Sequence, residues 1–121
     1  MTGFKKMLGD RGQSIAKKYL QKRGYKIKAE NYCIKGGELD IVASFLDRII
    51  FVEVKTRTTS QFGSGEEAVN YKKIESLIRT ARTFLHQNNL QNVNFQIDLI
   101  TVDFSDNRKK PEIRHLKNIT S

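Results

Sequence analysis

The segment Ile49-Ile50-Phe51-Val52-Glu53-Val54-Lys55 constrains the fold more than any other part of the chain. In an extended strand Ile50, Val52 and Val54 point to one face, while Ile49, Phe51, Glu53 and Lys55 point to the other. Both faces are largely apolar, which places the strand in the middle of a sheet that is covered on both sides. The preceding segment, Glu38 to Ser44, also alternates, and only a short polar turn around Leu46-Asp47 separates the two. The pair reads as a β-hairpin, although the turn lacks the Asn-Gly signature of the tightest ones.

Covering layers are legible on either side of this hairpin. A helix is expected from about Asp10 to Arg23, with Ile15, Ala16, Tyr19 and Leu20 on one stripe and Gly24 as its stop. Residues 1–8 carry little pattern. A second helix is expected from Glu66 to about His86, because Ile74, Leu77, Ile78, Ala81, Phe84 and Leu85 recur at three- and four-residue steps. Glu66 and Glu67 would then sit in its first turn, where the helix dipole favours acids. Tyr25 to Asn31 reads as a short, irregular strand, Asn94 to Phe104 as a long one and Glu112 to Leu116 as an edge. The order is α, β, β, β, α, β, β: an α/β domain over residues 1–121, with a mixed central sheet of about five strands flanked by helices.

The charges on the central hairpin need an explanation. A symmetric turn at Leu46-Asp47 opposes Phe45 and Arg48, and the same register brings Asp40 opposite Glu53 and Glu38 opposite Lys55. Opposed side chains share a face, with Cβ atoms about 5 Å apart. Asp40 against Glu53 is a like-charge pair that calls for a cation. Lys55 supplies part of that charge, and a hard divalent ion such as Mg²⁺ or Mn²⁺ would supply more. The competing reading is a surface hairpin with a Glu–Lys ladder on its wet face. The flanking Ile41, Ala43, Ile49 and Phe51 do not resemble a wet face.

The remaining composition bears on partners. Twenty-two Lys and Arg against 13 Asp and Glu give a formal net charge of +9, which favours a polyanion, nucleic acid before membrane. Arg57, Gln61, Lys72, Lys73, Arg79 and Arg82 lie on the loop after the hairpin and on the second helix, where they are candidates for phosphate contact. For any one of them a solvated helix face is the simpler reading. Cys33 is the single cysteine, so neither an internal disulfide nor a cysteine-based metal cluster is possible. No secretory signal and no run of about 18 apolar residues is present, and a cytoplasmic protein is expected.

At these residues the sequence resembles a known group. Asp40, twelve intervening residues and then Glu53-Val54-Lys55 match the PD-(D/E)XK signature of restriction-endonuclease-like folds and Holliday-junction resolvases. The longer text is more specific: Gly36-Gly37-Glu38-Leu39-Asp40-Ile41-Val42-Ala43, Phe51-Val52-Glu53-Val54-Lys55-Thr56-Arg57, Phe62-Gly63 and Glu67-Ala68-Val69. It is similar, nearly end to end, to the uncharacterised bacterial YraN-type family of that superfamily. The resemblance implies a three-layer restriction-endonuclease-like fold and a metal-dependent endonuclease acting on DNA, with branched DNA among the candidate substrates. It implies Asp40, Glu53 and the backbone carbonyl of Val54 as metal ligands, Lys55 as the catalytic lysine and Glu38 as a further site acid. By analogy with resolvases it implies a homodimer.

One position departs from the family pattern. Gln13 stands where the first helix usually carries a glutamate that helps hold the metal. Its amide oxygen can coordinate but brings no charge, and Asp10 lies one turn earlier. Asp98 and His115 fall at positions that the family often fills in the same way, with no role assigned. The alternative function is a nucleic-acid-binding module, or a subunit of a repair or recombination complex, that keeps the fold without turnover.

Overall fold

The computed structural model describes residues 2–58, 70–105 and 110–120. Its elements are α1 (Thr2–Lys22), β1 (Lys26–Ile34), β2 (Gly37–Phe45), β3 (Arg48–Arg57), α2 (Tyr71–Gln87), β4 (Asn94–Asp103) and β5 (Glu112–Leu116). The five strands form one sheet in the order β1-β2-β3-β4-β5. The β3–β4 pair is parallel, joined through α2, and the other three pairs are antiparallel. As its two apolar faces require, β3 is the central strand.

Two separate cores follow from that position. On one face Ala16 and Leu20 of α1 pack on Ile41, Ala43, Ile50, Val52, Ile100 and Val102. On the other, Leu77, Ala81, Phe84 and Leu85 of α2 pack on Leu39, Val42, Ile49, Phe51 and Ile97. Helix, sheet and helix make the three layers of the restriction-endonuclease-like architecture.

The boundaries differ from expectation where burial leaves no signature. Helix α1 begins at Thr2 rather than Asp10, since its first two turns run past the core and need no apolar stripe. An exposed Lys6–Asp10 ion pair of 2.9 Å ties these turns together. Gly24, with φ of 91°, ends the helix as glycine at that position should. Strand β1 is longer than expected because half of its residues face solvent and give no clean alternation. It is also irregular, with a register shift between Ile27 and Ala29 and a positive φ at Asn31.

Helix α2 starts at Tyr71, five residues later than expected. Asn70 caps it, its side chain accepting the Lys73 backbone N–H at 3.0 Å. Glu66 and Glu67 therefore precede the helix and, like Gln61, lie outside the described residues.

Gly12 sets how closely α1 approaches β3. A Cβ there would overlap Thr56 Oγ1 and come within 3.2 Å of Thr56 Cβ. Gly12→Ala should cost roughly 1–2 kcal/mol despite alanine's better helix propensity. Adding Thr56→Ala should restore most of that stability in chemical denaturation, and a double variant no more stable than the single would contradict the close contact.

Candidate functional site

The turn register read from sequence holds. Phe45 opposes Arg48, and the ladder runs down to Ile41 opposite Val52. There β2 and β3 part, and the Asp40 side chain takes over: its Oδ2 accepts the Val54 backbone N–H at 2.8 Å. Face alternation slips at the same place. Leu39 and Val42, three positions apart, both pack on the α2 side, while Ile41 and Ala43 pack on the α1 side. Asp40 thus sits at the split end of the sheet, between the two layers.

Asp40 and Glu53 meet there. Burial, a hydrogen bond with Glu53 and the Glu53 charge together push the Asp40 carboxyl up to about 7, against the opposing pull of the Val54 N–H. The Glu38 charge adds to the rise. Glu53 is 3% exposed, and its Oε2 lies 3.0 Å from Lys73 Nζ. Burial would lower the Lys73 pKa, but the contact with Glu53 and the charges of Asp40 and Glu38 outweigh it and raise it.

The cation against Glu53 therefore comes from α2. In the sequence Lys73 is a candidate for phosphate contact, while part of the balancing charge is expected from Lys55 and more of it from a divalent metal. Lys55 is half-buried on β3, in register with Thr101 of β4. The ladder ends before Glu38 could oppose it, and Glu38, exposed, is in register with Cys33 of β1. The only signal for Lys73 was its place one turn into an amphipathic helix, and that says nothing about which acid it meets.

On the α1 side Asp40 opens into a cleft of roughly 500 Å³, lined also by Lys6, Gly9, Asp10, Gln13, Val54 and Thr56. Gln13 Nε2 donates to the Asp40 backbone carbonyl at 3.2 Å and lies 3.4 Å from Glu30 Oε1. Glu30 in turn is held by Lys17 at 2.8 Å. Glu30, the carboxylate that Gln13 contacts, is thus already paired with an α1 lysine.

The other basic candidates are dispersed. Arg79 donates to the Gly36 carbonyl at 2.8 Å and, with Ser76 Oγ at 3.3 Å, pins the β1–β2 turn. Lys72 and Arg82 are exposed on α2. Arg57 ends β3, in register with Asp103, and its carbonyl accepts the Phe104 N–H.

A second polar cluster lies under α1. Asp98, fully buried, accepts from His115 Nε2 at 2.7 Å, the Asn118 N–H at 2.9 Å and Gln96 Nε2 at 2.9 Å. His115 Nδ1 is 3.2 Å from the Tyr19 hydroxyl. Burial alone would raise the Asp98 carboxyl, but its three donors outweigh that and hold it below the usual range. Its signal in the sequence was an acid inside the apolar run Ile97 to Val102.

Among the described residues no three His, Cys, Asp or Glu side chains converge on a point where they could hold a metal. A closed zinc site or a calcium cage is therefore a poor match to this donor set. Mg²⁺ or Mn²⁺ is a good one, since such ions take one or two carboxylates and fill the rest of the shell with water. Asp40, Glu53 and the Val54 carbonyl are the residues that would hold it. No helix among the described residues is long and apolar enough to cross a membrane.

Residues 12–102, which include Gln13, Asp40, Glu53 and Lys73, match the model of the uncharacterised protein family UPF0102. The chain belongs to the UPF0102 family. A UPF0102 protein of Sulfurihydrogenibium sp. YO3AOP1 is 43% identical over 106 residues, which cover 88% of this chain and 87% of the relative. One from Carboxydothermus hydrogenoformans is 38% identical over 112 residues, 93% of each chain. One from Clostridioides difficile is 41% identical over 110 residues, 91% of this chain and 93% of the relative. The YraN-type resemblance and the UPF0102 match are the same family reached by two routes.

Proposed function

We propose that this UPF0102 protein is a metal-dependent endonuclease that hydrolyses DNA phosphodiesters, with branched DNA among its candidate substrates. The observation that carries the reading is the Asp40–Glu53 pair at the split end of the sheet, with Glu53 buried and Asp40 opening into the cleft. Two carboxylates that share one site, one of them buried, repel each other unless a cation or a proton joins them. A bound Mg²⁺ or Mn²⁺ would supply Lewis-acid stabilisation of a phosphate oxygen and a water acidic enough to attack near neutral pH. The chain's own contribution is placement. The Val54 N–H fixes the Asp40 carboxylate, and Glu53 is fixed by its burial. Lys55, two residues on along β3, would balance charge that develops on the phosphate. The exposed cations of α2 and the net charge of +9 favour the DNA backbone. A homodimer and a cytoplasmic location accompany this reading.

Purified protein with Mg²⁺ or Mn²⁺ should nick or cut linear, supercoiled or four-way-junction DNA. Asp40→Ala and Lys55→Ala should each lower the rate by at least about 100-fold. DNA binding with no metal-dependent cleavage of any of these substrates would remove the proposal.

That outcome would favour a second reading, a nucleic-acid-binding module or repair-complex subunit without turnover. Gln13 is the observation on its side. Its amide N–H is engaged by the Asp40 carbonyl, and it brings no charge to the cleft. On that reading affinity falls steeply with salt, and Asp40→Ala leaves it unchanged or improves it.

A further inference from the structure

We infer that Lys73 is a built-in counter-cation of the Asp40–Glu53 pair, which a divalent metal must displace from Glu53 in order to bind. The inference rests on the reading of those two carboxylates as a metal pair. Its geometric basis is separate: Glu53 is buried, and the ammonium of Lys73 lies 3.0 Å from its Oε2.

Lys73 is held at one end and free to move at the other. Its backbone N–H is tied to Asn70 at the helix start, so the Cα position is set by the cap. The side chain is 34% exposed, against 4% for that of Glu53. It lies along a small opening of about 320 Å³, beside Glu38, Gly37 and Ser76. The ammonium can therefore swing outward into solvent without unpacking the core. Glu38, which lines the same opening, attracts the ammonium when it swings out, as Glu53 does when it is seated.

Charge makes the two cations exclusive. A divalent ion shared by Asp40 and Glu53 would stand within a few ångströms of Lys73 Nζ, where the +2 and +1 charges repel. Lys73 thus stabilises the metal-free fold at the expense of metal affinity. Metal binding in turn frees an ammonium at the edge of the site, where a phosphate would meet it.

Mn²⁺ titrations by calorimetry on the wild type, Lys73→Met and Lys73→Arg test this. Lys73→Met should bind Mn²⁺ about tenfold more tightly than the wild type or better, and its metal-free melting temperature should fall and recover on addition of Mn²⁺. Lys73→Arg, which keeps the charge, should stay within about threefold of the wild type. Equal or weaker binding by Lys73→Met would overturn the inference and leave the metal site standing. Absence of binding in all three proteins would remove the metal site and the inference with it. A readout on the wild-type protein covers the case in which Lys73→Met does not fold. Amine acetylation of Lys73, followed by mass spectrometry, should speed up several-fold at saturating Mg²⁺, and an unchanged rate would overturn the inference.

Discussion

Asp40→Asn is expected to stabilise the metal-free protein at pH 8 by roughly 2–4 kcal/mol while abolishing any Mn²⁺-dependent gain in melting temperature. The Val54 N–H finds an acceptor in the asparagine oxygen, so the substitution keeps the hydrogen bond and deletes the charge. The pH dependence gives the sign. With burial and Glu53 pushing the folded-state carboxyl up to about 7 from an ordinary 3.8, the folded protein holds a proton that the unfolded chain has released. Wild-type stability is therefore lost as pH rises from about 4 to about 7, and the loss is complete above that. The advantage of Asp40→Asn should be near zero at pH 4, grow between pH 4 and 7, and stay level above. Urea denaturation at four or five pH values checks it, and an Asp40→Asn protein less stable than the wild type at pH 8 would refute the strained-pair account. A residue whose removal improves the fold is one retained for function.

Asp98→Ala should have the opposite effect, a loss of about 3–5 kcal/mol at pH 7. The substitution leaves His115 Nε2, the Asn118 N–H and Gln96 Nε2 facing a buried void. Against a total stability of about 5–15 kcal/mol, that is enough to leave a marginal domain largely unfolded. Asp98→Asn should cost much less, about 1–2 kcal/mol. Gln96 and Asn118 both use Oδ1, which the amide oxygen replaces. The amide N–H can donate to His115 Nε2 if the imidazole carries its proton on Nδ1 towards Tyr19. The Asp98 carboxyl is held below its usual range, so its stabilisation is present above about pH 4 and fades as pH falls through the folded-state value. Asp98→Asn should accordingly lose less stability than the wild type between pH 4 and 2. Equal costs for the alanine and asparagine variants would show that the hydrogen bonds are not what Asp98 provides.

Helix α2 shows how far a sequence pattern reaches. Its apolar recurrence located the packed face, but the pattern cannot say where capping begins, and Asn70 rather than the preceding acids marks that point. The N-terminal turns of α1 were unreadable for a related reason: helix that overhangs a cleft needs no apolar stripe. Arg79 illustrates a third limit. Its guanidinium meets the Gly36 carbonyl because the β1–β2 turn lies against α2, a contact across more than forty residues that no local spacing encodes.

The sequence by itself determined the central strand, the hairpin register as far as Ile41 opposite Val52, and Asp40 and Glu53 as the acids just beyond it. All three rest on the two-residue period of β structure and on the cost of burying charge, which act over a few residues. Only the tertiary structure decided which cation answers the pair. Lys55 is near in sequence, but Lys73 of α2 is the one against Glu53, because α2 crosses the face to which Glu53 points. The packing of a helix on a sheet is set by side chains scattered along the whole chain, and so is the identity of the partner.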